Sequence, residues 1–190
     1  MTVSGVILAA GLSRRMGFPK ALLRWEEETY LDRQIRMFGA VCNEVVVVLR
    51  PGAEAALGEC KRLAEARVVL NADADRGQLS SLQTGLAAVG EADAVLFSPV
   101  DYAHVAEATV RLVAGGGPAM VLQPSFGGQH GHPVWVRRAV VEALLAEPVT
   151  GTARDVVRRF ARTFAEVPDW GCVMDCDDPA AFVALRERRA

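Results

Sequence analysis

Apolar runs along the chain are short, evenly spaced and separated by polar or glycine-rich stretches. The first, Val3 to Ala10, predicts a strand over Val3 to Ala9 and stops at Gly11. Thr29 is placed to cap a helix reaching Gly39, with Leu31, Ile35 and Phe38 on one face. Glu44 to Leu49 carries four consecutive valines, the mark of a strand buried on both faces, and Arg50-Pro51-Gly52 ends it. Composition predicts a helix over Ala53 to Ala66, a short strand over Arg67 to Asn71, a polar loop to Gly77 and a helix over Gln78 to Val89. Asp93 to Phe97 predicts a strand that runs out into Ser98-Pro99-Val100-Asp101.

The second half repeats the pattern. A helix over Val105 to Ala114 is stopped by Gly115-Gly116-Gly117-Pro118, and Ala119 to Gln123 predicts a strand. After the glycine-rich loop Phe126 to Pro133 come a strand at Val134 to Val136 and helices over Arg138 to Ala146 and Thr152 to Ala161. Two short strands follow, at Phe164 to Val167 and Cys172 to Cys176. Pro179 then sits in the first turn of a last helix, where its missing N–H costs nothing.

Alternating strands and helices give an α/β fold with a largely parallel sheet covered on both faces. Ligands of such sheets bind beyond the carboxyl ends of the strands. The glycine loop after the first strand, the loop from Asn71 to Gly77, Asp101, and Asp175 with Asp177 all emerge at that edge. Residues 1–190 contain no linker or repeat and suit one domain with a full core.

Composition narrows the classes. With 51% hydrophobic residues the chain is not disordered, and a net charge of −2 argues against nucleic-acid or polybasic membrane binding. No apolar run approaches the roughly 18 residues of a membrane helix, and no basic region precedes the first run as in a signal peptide. Cys42, Cys60, Cys172 and Cys176 form no C-x-x-C pair and read as reduced thiols of a cytoplasmic protein, not a zinc site.

The candidate chemistry begins in the loop Gly11-Leu12-Ser13-Arg14-Arg15-Met16-Gly17-Phe18-Pro19-Lys20. Small residues after a strand let backbone N–H groups approach a phosphate closely. Arg15 can fork onto phosphate oxygens and Lys20 supplies a compact charge. The spacing is neither a P-loop nor the dinucleotide fingerprint G-x-G-x-x-G. A carboxylate at a strand end, as at Asp101, suits Mg²⁺, which takes one or two protein carboxylates plus phosphate oxygens. Asp175 and Asp177, on one face of a strand, form a second acidic site.

The order Ala-Ala-Gly-x-Ser-x-Arg-Met-Gly-x-x-Lys, from Ala9 to Lys20, resembles the signature of the MobA-like nucleotidyltransferases, in particular the branch with molybdenum cofactor cytidylyltransferase. The resemblance implies a single Rossmann-like three-layer domain with a mostly parallel, mixed sheet of the nucleotide-diphospho-sugar transferase type. It implies Arg15 and Lys20 as catalytic groups, with Leu8, Ala9, Ala10, Gly11, Gly17, Asn71, Gly77 and Ser81 around the nucleotide. Asp101, Asp177 and Asp175 become candidate Mg²⁺ ligands, with Asp177 favoured over Asp175. Asn71 to Leu82 resembles the family's base and ribose segment, although Ser80 and Ser81 equally suit a helix cap. Gly131-His132-Pro133 resembles a Gly-His-Pro near the acceptor, which points His132 at that substrate.

The implied reaction moves NMP from an NTP, with CTP favoured, to a small phosphate-bearing acceptor such as molybdopterin; a molybdoenzyme is the implied protein partner. A sugar phosphate acceptor, and a binding module without turnover, are the alternatives. Three departures fall in the implied pattern: Ala103 replaces the Pro of Asp-x-Pro, Asp178 replaces a Thr, and Val149-Thr150 stands where Gly-Asp precedes Gly-Ala-Arg. Gly151-Thr152-Ala153-Arg154 resembles that last motif only loosely, so Arg154 also reads as a surface helix residue.

Overall fold

The computed structural model describes residues 1–187. Strands β1 (Val3–Leu8), β4 (Glu44–Leu49), β5 (Arg67–Leu70) and β6 (Ala94–Pro99) form the parallel heart of a sheet. β7 (Val121–Phe126), β8 (Gln129–His130), β9 (Val134–Arg137) and β10 (Arg162–Glu166) extend it, in the order β10-β7-β9-β6-β1-β4-β5, with β8 paired to β7. β9 runs antiparallel to both β6 and β7, so the sheet is mixed. A separate antiparallel pair, β2 (Arg24–Trp25) and β3 (Glu28–Thr29), has no counterpart in the sequence pattern because each strand is only two residues long.

Strand alternation divides the core in two. Val45, Val47 and Leu49 face α1 (Tyr30–Gly39) and α4 (Glu107–Ala114), while Val46 and Val48 face α3 (Gln78–Ala88), α5 (Arg138–Ala146) and α6 (Ala153–Arg158). The valine run thus serves both faces, as expected. Thr29 caps α1 by accepting the backbone N–H of Asp32 at 3.0 Å. Gly85 brings α3 against the sheet: a Cβ there would sit 2.5 Å from Cγ1 of Val6.

Two expected elements are corrected. The helix over Ala53 to Ala66 shrinks to one turn, α2 (Ala53–Ala56), with a separate 3₁₀ turn at Leu63–Glu65. Gly58 interrupts it, and the N–H of Arg62 donates to Oδ1 of Asp32 at 2.8 Å instead of to a helical carbonyl. The strand over Cys172 to Cys176 is absent: Trp170–Cys172 is a 3₁₀ turn capped by Asp169, and the segment after it is irregular. The carbonyl of Cys172 accepts the N–H of His132 at 2.8 Å, so this stretch crosses the glycine-rich loop and adds nothing to the sheet. Helix α7 (Pro179–Glu187) follows, with Pro179 in its first turn as expected.

Candidate active site

β1 delivers the chain to the carboxyl edge, where Ala9 still donates to the carbonyl of Val48 at 2.9 Å. The loop then curls around Ser13, whose φ is +49°. Its carbonyl accepts the N–H of Gly17 at 3.0 Å, and its Oγ accepts the N–H of Lys20 at 3.1 Å. Ala21 and Leu22 are buried just beyond, so the loop is pinned at both ends and Lys20 is held at its exit. Gly17, at φ +68°, closes this turn and lies outside the cleft lining.

The Lys20 ammonium donates to Oδ2 of Asp101 at 2.9 Å and to Oδ1 of Asp177 at 2.5 Å. Arg15 donates to the other oxygen of Asp177 at 2.5 Å. Burial alone would lower the pKa of Lys20, but the two carboxylates outweigh it and the net shift is upward. Burial raises Asp101 above the usual carboxylate range against the pull of Lys20. The hydrogen bond from Lys20, with help from Arg15, lowers Asp177. Lys20 therefore stays charged at neutral pH and holds two acidic segments together. Cys176, beside Asp177, is buried in the core cluster that includes Tyr30 of α1, which ties the acidic segment to the core.

These groups edge a cleft of about 550 Å³ lined by Leu8, Ala9, Ala10, Gly11, Gly77 and Ser81 among others. Gly77, at φ +104°, makes the sharp entry into α3 that leaves backbone at the cleft wall. Asn71 is buried and donates to the hydroxyls of Ser80 and Ser81 at 3.0 and 3.1 Å, so it braces the wall and does not line it. Arg50 was expected only to end the strand, not to join the site. It lines the cleft, donating to the carbonyl of Ala10 at 3.1 Å and to Asp75 at 2.9 Å. Its place directly after β4, at the carboxyl edge, was the available signal.

A divalent cation fits this donor set. Oδ1 of Asp101 is buried with no hydrogen-bond partner among the described residues, while the second oxygen and Asp177 already converge on one cation. Hard oxygen ligands of this kind suit Mg²⁺ or Mn²⁺ completed by phosphate oxygens. Among the described residues no group of three or more His, Cys, Asp or Glu could hold a metal alone. Asp175 is exposed and outside the cleft lining, though near enough to raise the pKa of Asp101.

A second cleft, of about 420 Å³, shares Leu8, Gln78 and Pro99 with the first. His132 lines it, its ring 4.4 Å from that of Tyr102. Burial lowers the pKa of His132 to about 4, so the imidazole is neutral at pH 7. Arg154 also lines this cleft and is more than a surface helix residue.

A family model described as the MobA-like NTP transferase domain matches residues 5–167. The chain is 32% identical, over 93% of its length and 88% of the relative's, to nicotine blue oxidoreductase of Paenarthrobacter nicotinovorans. It is 24% identical to molybdenum cofactor cytidylyltransferase of Escherichia coli (strain K12), over 96% of this chain and 95% of that one. The crystal structure of Rv0371c from Mycobacterium tuberculosis H37Rv superposes with a TM-score of 0.85 at 29% identity, covering 98% of both chains. A further structure of Rv0371c, in complex with manganese, covers 98% of this chain and 99% of that one, with a TM-score of 0.81 at 27% identity.

Proposed function

The chain belongs to the MobA-like NTP transferase family, and from that premise we propose that it transfers NMP from an NTP, with CTP favoured, to a phosphate of a small acceptor such as molybdopterin. The observation that carries this reading is the Lys20 ammonium held between Asp101 and Asp177 at the mouth of the glycine-loop cleft. An oxygen of the acceptor phosphate attacks the α-phosphorus, the bond to the β-phosphate breaks, and pyrophosphate leaves. The nucleophile is already anionic at neutral pH, so no general base is required.

Positioning and charge stabilisation then account for the catalysis. Backbone N–H groups near Gly11, with Arg15, hold the β- and γ-phosphates. Lys20 neutralises charge that builds on the α-phosphate and the leaving group. Asp101 and Asp177 would hold Mg²⁺, which would neutralise phosphate charge in the transition state. Ser81, braced from behind by Asn71, and Gly77 face the base and ribose.

The relative named an oxidoreductase supports a second reading, in which the cleft serves a redox reaction. The loop lacks the dinucleotide fingerprint, and a lysine clamped by two carboxylates has no evident use in hydride transfer. Pyrophosphate release with Mg²⁺ and each of the four NTPs, with and without molybdopterin, tests the proposal. Release with CTP only when molybdopterin is present supports it in full, and release with another acceptor keeps the reaction and changes the substrate. NADH or NADPH oxidation without pyrophosphate release favours the second reading.

A further inference from the structure

The second cleft has a charge pattern that nucleotidyl transfer at the first does not use. Arg154 and Arg158 are four residues apart on α6, hence on one helix face, and Arg162 opens β10; all three line the cleft. Among the described residues no acidic side chain lines it. Asp155 lies 4.0 Å from Arg158, at ion-pair range but outside the lining. Two arginines at this spacing repel each other, and a third adds to the cost, so an arrangement without acidic lining suits an anion. The remaining polar walls include Gln123, Tyr102 and the neutral His132, and His130 there is stacked on Phe164 at 3.6 Å between ring centres.

Lys20, Asp101 and Asp177 line the first cleft and not the second. A group held by the three arginines is therefore not the phosphate that reacts there. The two clefts nevertheless adjoin, sharing Leu8, Gln78 and Pro99 in their walls. We propose that the acceptor is a small molecule with two separated anionic groups: the phosphate that attacks in the first cleft, and a second anion anchored by Arg154, Arg158 and Arg162. The second group is an anion that the guanidinium groups can hold, such as a phosphate, a carboxylate or the anionic dithiolene end of a molybdopterin. This assignment rests on the transferase reading for the identity of the first group, and on the arginine cleft alone for the second.

The test uses alkane bisphosphonates with two to six carbons between the phosphonates, and the matching monophosphonates, titrated calorimetrically into the metal-free protein. At least one bisphosphonate is expected to bind about tenfold or more tighter than its monophosphonate. In the R154Q/R158Q variant, and separately in R162Q, that advantage is expected to fall several-fold. Binding of a non-hydrolysable CTP analogue with Mg²⁺ stays unchanged in both. These arginines are exposed, so circular dichroism should show both variants folded. No preference for any bisphosphonate in the wild-type protein overturns the proposal, and so does a preference that survives both variants. Loss of CTP-analogue affinity in step with the bisphosphonate also overturns it, because the arginines would then serve the nucleotide. Failure of the analogue to bind the wild-type protein counts against the transferase reading instead, and the bisphosphonate titrations still decide the arginine cleft.

Discussion

The Nζ of Lys20 lies 2.9 Å from Oδ2 of Asp101, a residue 81 positions further along the chain. The same ammonium is 2.5 Å from Oδ1 of Asp177. A single cation position is thus defined by two carboxylates far apart in the sequence, and the Lys20 ammonium occupies it. On the proposed reading, a divalent cation would compete with this ammonium for the same oxygens. Lys20→Met is therefore expected to bind Mn²⁺ more tightly, by about tenfold, while its kcat falls at least about a hundredfold, roughly 2.7 kcal/mol of transition-state stabilisation. Electron paramagnetic resonance of free Mn²⁺ and steady-state kinetics read the two effects separately. Unchanged metal affinity would mean that Lys20 and the metal occupy different places, and near-normal turnover would remove Lys20 from the chemistry.

Asp101 and Asp175 should separate on mutation. Asp101→Asn removes the half-buried carboxylate proposed to hold the metal and is expected to abolish measurable Mn²⁺ binding and lower turnover by about a thousandfold, near 4 kcal/mol. Asp175→Asn alters an exposed residue outside the cleft lining and should change both by no more than about threefold, under 1 kcal/mol. Equal losses in the two variants would place Asp175 among the metal ligands.

His104 sets a pH dependence of stability. It is buried, hydrogen-bonded to the Tyr30 hydroxyl at 2.6 Å, and burial lowers its pKa from 6.5 to about 4. The folded state prefers the neutral ring, whereas the unfolded chain takes up a proton below pH 6.5. Between pH 6.5 and 4 the unfolded state therefore binds more protons, and stability falls as pH falls, by on the order of 3 kcal/mol over the whole window. Urea midpoints at intervals from pH 7.5 to 4.5 should stay level above about pH 6.5 and decline below it, with a shallower decline in His104→Gln. Identical slopes in both proteins would assign the acid loss to other groups.

Gly85 fixes the distance between α3 and the sheet. A Cβ there would meet Cγ1 of Val6 at 2.5 Å and Cγ2 of Val48 at 2.9 Å. Gly85→Ala should destabilise the fold by about 1–3 kcal/mol through overpacking, visible as a lower urea midpoint. Gly39→Ala, where a Cβ meets nothing within 4 Å, should not lower it.

Much of this was legible in the sequence because it depends on local pattern. Glu44 to Leu49 reads as a doubly buried strand from its valines alone, and Thr29 and Pro179 mark their helix starts by chemistry that acts within one turn. The glycine loop with Arg15 and Lys20, and the carboxylates Asp101 and Asp177, were found by motif and meet in space. What was missed depends on contacts distant in sequence. The helix expected to Ala66 fails because the N–H of Arg62 is taken by Asp32, and the strand expected at Cys172 fails because its carbonyl accepts the N–H of His132. Arg50, Arg158 and Arg162 belong to no motif and Arg154 only to a loosely matched one; that the last three line one cleft is visible only in the folded chain.

The most direct test of the central claim follows the label of CTP carrying ³²P at its α-phosphorus, incubated with the protein, Mg²⁺ and molybdopterin. Nucleotidyl transfer predicts that the label passes to the acceptor while unlabelled pyrophosphate appears in equal amount, and that both vanish in Asp101→Asn. Label that stays in CTP with molybdopterin and with every other phosphate acceptor tried, while NADH or NADPH is consumed, would contradict it.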